Sequence, residues 1–144
     1  MIRSIRNTAA GFAVVGLLAL GACASLNPFA DKDRVTLSGA NEVPAVNTSA
    51  AGTGTITIAN DGAVSGSVTV TGIAATAGHI HQGAVGINGP VIVPFVQSGN
   101  TFTAPPGAKL TETQMAAYRA GNLYVNVHSA AHPGGEIRAQ LKAG

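Results

Sequence analysis

Between Thr53 and Gly72 the chain alternates. TGTITIAN (Thr53–Asn60) sets Ile56 and Ile58 against threonines, and AVSGSVTVTG (Ala63–Gly72) sets Val68 and Val70 against serine and threonine. Successive side chains of a strand point to opposite faces, so each run has one apolar face and one mildly polar face. Asn60-Asp61-Gly62 lies between them, and such a turn joining two alternating runs predicts a hairpin. Shorter runs of the same kind predict strands over 34–39, 77–83, 89–95, 100–105, 122–129 and 135–142. The period changes once, at LTETQMAAYRAG. Thr111 is placed to cap a helix, Leu110, Met115 and Tyr118 make its apolar stripe, and Gly121 stops it. The tally is an all-β fold, an antiparallel β-sandwich or small Greek-key barrel, with one short helix near 111–120.

The same alternation divides the candidate chemistry. In AGHIHQG (Ala77–Gly83), His79 and His81 share one face and Ile80 takes the other. In LYVNVHS, Leu123, Val125 and Val127 share the inward face, leaving Tyr124, Asn126 and His128 on the polar side. His132 follows four residues after His128, in a turn where Pro133 biases it to an extended conformation. All 4 histidines of the chain fall in these two stretches. They converge if the 77–83 strand runs beside the 122–129 strand.

The first residues change how composition is read. Arg3 and Arg6 precede an apolar run from Ala9 to Leu20, shorter than the roughly 20 residues of a spanning helix. Small residues follow, and then Cys23, the single cysteine. This describes an export signal over 1–22. Leu20-Gly21-Ala22-Cys23 resembles the bacterial lipobox, which implies a lipid on Cys23. It also implies a short tether over 23–33 and a working domain over 34–142. The other reading is a plain signal with an incidental cysteine. Ala24, which is not Asp, favours the outer membrane in the lipoproteins this resembles, facing the periplasm or the cell surface. Loss of Arg3 and Arg6 from the 8 Lys+Arg leaves a mature chain in formal balance with its 6 Asp+Glu. No basic patch argues for nucleic acid, and no disulfide is available. The expected partners are a membrane, through the lipid, and a metal ion. A protein partner is not specified.

Imidazoles suit copper and zinc, so His79, His81 and His128, with His132 as fourth or alternate ligand, form the candidate metal set. Glu136 is expected to accept a hydrogen bond from an outward imidazole, with Arg138 holding that carboxylate and Tyr124 as an outer donor. The alternative is structural: neutral imidazoles bonded to loop carbonyls. No nucleophile or paired carboxylate accompanies them, so binding is expected rather than turnover. NEVP (Asn41–Pro44) is expected to order a turn. The glycines of GAVGING lack the lysine and helix of a phosphate loop.

LSGANEVPAV (Leu37–Val46), AGHIHQGAVGINGPVIVPF (Ala77–Phe95) and LYVNVHSAAHPGGEIRAQL (Leu123–Leu141) together resemble the CHRD domain. That domain was first named in chordin and also occurs singly in bacterial exported proteins. The resemblance runs from about Val35 to Leu141 and implies a β-rich fold, while fixing function poorly. A His-x-His on a strand with distant histidines is also similar to the copper site of Cu,Zn superoxide dismutases, which makes a copper redox enzyme a third reading. Three functions therefore stand: a lipid-anchored envelope domain binding copper or zinc, a metal-free structural or adhesion module, and that enzyme.

Overall fold

The computed structural model describes residues 31–144. The expected signal over 1–22, Cys23 and the tether to residue 30 lie outside the described residues. Residues 31–33, assigned to the tether by sequence, instead begin the first strand.

In chain order the strands are β1 (Asp31–Ser38), β2 (Ala51–Ile58), β3 (Val64–Thr71), β4 (Ala75–Gln82), β5 (Val91–Pro94), β6 (Val96–Ser98) and β7 (Thr101–Thr103). Helix α1 (Glu112–Arg119) follows, then β8 (Leu123–Ser129) and β9 (Ile137–Gln140). They form one antiparallel sheet ordered β5-β4-β8-β9-β1-β2-β3-β7-β6. The predicted β2–β3 hairpin is present, closing at Ile58↔Val64. Gly62 supplies the positive φ of 90° that its turn needs.

The two ends of that order, β5 and β6, are neighbours in the chain, separated by Phe95 alone. β5 pairs with β4, whereas β6 pairs with β7. Phe95 N donates to Gly78 O (2.9 Å) and Gln97 Nε2 to Ala75 O (3.1 Å), so the run stays against β4 as it crosses. The sheet thereby curls into a nearly closed barrel. Among neighbours in the sheet, β1 and β9 share the shortest ladder, paired only at Ser38↔Arg138. Side chains reinforce that junction: Asn41 Nδ2 donates to Arg138 O (3.1 Å), and Asp33 Oδ2 accepts from Lys142 N (2.8 Å).

The barrel interior holds the apolar halves of the strands, among them Leu37, Ile56, Val68, Ile80, Phe102 and Val125, each fully buried. Gly78 is required there. A side-chain carbon at this position would come 2.8 Å from Phe102 Cδ1. α1 closes one end with Met115 and Tyr118 buried. Thr111 and Gln114 make the reciprocal capping box that satisfies its first N–H groups. β6 escaped sequence analysis because its three residues are all exposed and carry no alternation to bury. No helix among the described residues is long and apolar enough to cross a membrane.

Candidate metal centre

β4 runs beside β8, the condition on which convergence of the histidines depends. His79 stands opposite Asn126, and His81 opposite Tyr124. On the far side of β8, Asn126 faces Arg138. One side of these three strands therefore carries a row His79–Asn126–Arg138, while Ile80, Val125 and Ala139 form the matching apolar row inside. Sequence analysis placed Tyr124, Asn126 and His128 on an ordinary polar side. In the fold, all seven residues of β8 are buried. Loops over 83–90 and 130–136 and the NEVP segment fold across that side, making a second, polar interior.

His79, His81 and His128 each offer a ring nitrogen, and these lie within 4.8 Å of one another. His79 Nδ1 is 3.0 Å from His128 Nε2. Tetrahedral zinc with nitrogen at 2.0–2.1 Å sets its donors about 3.3 Å apart, a separation these two distances bracket. Carbonyls fix two of the rings. His81 Nδ1 donates to Gly89 O (2.9 Å), and His128 Nδ1 donates to Pro133 O (2.9 Å). A neutral imidazole carries one N–H, so Nε2 of both rings presents a lone pair. Backbone carbonyls behind the ring are the usual device for orienting a ligating histidine.

His79 and His81 resist protonation. Burial, then the neighbouring His128 and His81, push His79 down to about 4. Burial also lowers His81, with charge from His128 and Arg138 adding to the effect and the Gly89 carbonyl opposing it. Unprotonated nitrogens are what a metal ion requires.

Tyr124 supports His81 directly. Their rings stack at 4.9 Å with 9° between planes. The guanidinium of Arg138, only 1% exposed, lies 3.3 Å from the centre of the same ring, on the β9 side. The Tyr124 hydroxyl accepts from Gly89 N (3.1 Å). Arg138 donates to Asn88 Oδ1 (3.0 Å), Ala84 O (3.3 Å) and Ile87 O (2.9 Å). Asn88 Nδ2 in turn donates to Val43 O (2.6 Å), tying this loop to NEVP.

Two expected partnerships take other forms. Glu136 accepts from Thr48 Oγ1 (2.7 Å) and is held below the usual carboxylate range chiefly by a hydrogen bond from Ser129. The imidazole it feels, through charge, is that of His132. The carboxylate that Arg138 feels is Glu42, which burial pushes upward against the pull of Arg138. His132 lies outside the trio. Its backbone builds the turn after β8 by donating to Ser129 O (3.2 Å) and accepting from Gly135 N (3.0 Å).

The CHRD domain model matches residues 34–141. The chain belongs to the CHRD family. No curated protein and no solved structure matches it. The CHRD match spans the trio and nearly all of the barrel, so the polar interior belongs to the domain itself.

Within the CHRD domain, the structural alternative expected imidazoles bonded to loop carbonyls, and His81 and His128 are so bonded, to Gly89 and Pro133. Sequence analysis missed which carbonyls these are, since no side-chain pattern announces them. Glu42 was also missed, hidden in a segment read as a turn. Asn126 was legible in part: it sits two residues before His128 on one strand and so shares its side.

Proposed function

We propose that this CHRD domain is an envelope binding module that holds a copper or zinc ion on His79, His81 and His128. In this reading the domain is exported, and a lipid on Cys23 tethers it to the outer membrane. The observation that carries the metal reading is the pair of carbonyls behind His81 and His128. Each fixes a tautomer that leaves Nε2 as a lone pair. That of His81 has no hydrogen-bond partner, and that of His128 faces His79 Nδ1 at 3.0 Å. The bound ion would supply Lewis acidity, and the protein's part is to orient three neutral imidazoles and exclude water.

Titration of the tag-free chain with Cu(II) and Zn(II), followed by copper EPR, tests it. Near-stoichiometric binding that is lost in His79→Ala, His81→Ala or His128→Ala is expected. Binding no tighter than about millimolar, near −4 kcal/mol, overturns it. Palmitate labelling that disappears in Cys23→Ser tests the tether. A second reading, the metal-free structural module, draws on the same two hydrogen bonds, since each already ties a loop to the barrel.

A further inference from the structure

We propose that Asn126 supplies an oxygen ligand to the ion held by the trio, making the centre three nitrogens and one amide oxygen. The proposal rests on the metal reading above and adds a ligand to it.

Among the described residues, three buried side-chain atoms make no hydrogen bond: Glu42 Oε1, His81 Nε2 and Asn126 Oδ1. A buried acceptor left unpaired costs about 1–3 kcal/mol, so three in one place call for an account. Asn126 is their common neighbour. It stands opposite His79, diagonal to His81, and two residues before His128.

The orientation of its amide is set from behind. Asn126 Nδ2 lies 3.5 Å from Gly134 O. Asn126 Nδ2 and Glu42 Oε1 both press against Gly135, where any side-chain carbon would collide with them. The amide's nitrogen end thus lies on the side of Gly134, Gly135 and Glu42, which turns its oxygen end away from them. Asn126 Oδ1 and His81 Nε2, on neighbouring positions of the paired strands β8 and β4, are both buried acceptors without a donor, the second a lone pair because Nδ1–H is committed to Gly89. Two acceptors cannot bond to each other. What satisfies both is a donor or a cation between them.

The neighbouring donors are engaged elsewhere. Arg138 bonds Asn88, Ala84 and Ile87, and Gln140 Nε2 bonds Gly83 O and Gly121 O. His128 Nε2 is a further lone pair in the same cluster, set 3.0 Å from His79 Nδ1. A cation satisfies all of these acceptors at once. An amide carbonyl is an ordinary oxygen ligand for a metal ion, and Glu42 becomes the group that aims it.

The test uses the full tag-free chain in detergent, with Cu(II) and Zn(II) as probes, and the variants Asn126→Leu and Asn126→Asp. In Asn126→Leu, affinity falls by about tenfold or more, and ¹⁷O-water newly broadens the copper EPR signal as water takes the vacated position. In Asn126→Asp, an anionic oxygen replaces a neutral one and binding tightens. A folded Asn126→Leu with wild-type affinity and spectrum overturns the proposal while leaving the trio intact. If Asn126→Leu does not fold, wild-type affinity and spectrum in the near-isosteric Asn126→Asp overturns it. A wild-type chain that binds neither ion overturns the three-histidine reading, and this proposal with it.

Discussion

The Arg138 guanidinium lies against the face of Tyr124, 3.3 Å from the ring centre. From there it reaches the carbonyls of Ala84 and Ile87 and the amide of Asn88. One cation thus holds the loop whose Gly89 carbonyl fixes His81. Arg138→Met removes these charge-assisted bonds, at a cost of about 1.5–3 kcal/mol. Arg138→Lys keeps the charge but loses the planar fork, and is expected to recover only part of it. Urea denaturation measures both. Equal stability of Arg138→Met and wild type would contradict the role given to this residue.

Gly135→Ala is expected to destabilise by about 1–3 kcal/mol. The backbone there has φ +127°, and a methyl group would run into Asn126 and Glu42. Thermal unfolding reads the loss, and an unchanged midpoint would mean that the polar interior is looser than described.

Gly78→Ala tests the opposite interior. Its methyl meets the Phe102 ring at 2.8 Å, so overpacking costs about 1–3 kcal/mol. Phe102→Leu alone opens space in the same core. The double variant should be more stable than the sum of the two single losses, and simple additivity would refute direct contact.

Stability should respond to acid through His79. Its value is near 6.5 in the unfolded chain and about 4 when folded. Between those values the unfolded state binds more protons, so the contribution is complete above pH 6.5 and is lost as pH falls towards 4. Denaturation midpoints across this window should drop in wild type and drop less in His79→Ala. Parallel curves would place the acid sensitivity elsewhere.

His132→Ala should leave copper and zinc affinity unchanged, whereas His128→Ala removes it. Equal loss in the two variants would return His132 to the ligand set.

Much of the barrel was legible because burial on one side leaves a period of two. Ile56, Val68, Ile80 and Val125 all announce themselves in that way, and the Thr111–Gln114 box marks the helix start. The three histidines were legible as residues on one side of two strands. Their environment was not. Alternation shows which side chains leave the core but cannot show that loops return to cover them. Tyr124 and Asn126 therefore read as members of a polar side, and Arg138 as a partner of Glu136, although all three are as buried as the valines between them. Glu42 looked like part of a turn because Arg138, the cation whose charge it feels, stands 96 positions away.

The trio joins strands whose histidines stand 49 positions apart, at His79 and His128. No short fragment of the chain contains it. The His79–His81 pair can form locally, but the third nitrogen and both orienting carbonyls arrive only when β4 has docked on β8 and the two loops have closed. On the proposed metal reading, ion capture would be a late event in maturation. An exported chain would present at most a weak two-nitrogen chelate while unfolded and acquire its full grip only as a finished barrel. The ion would report that folding is complete and, by mass action, help to keep it so.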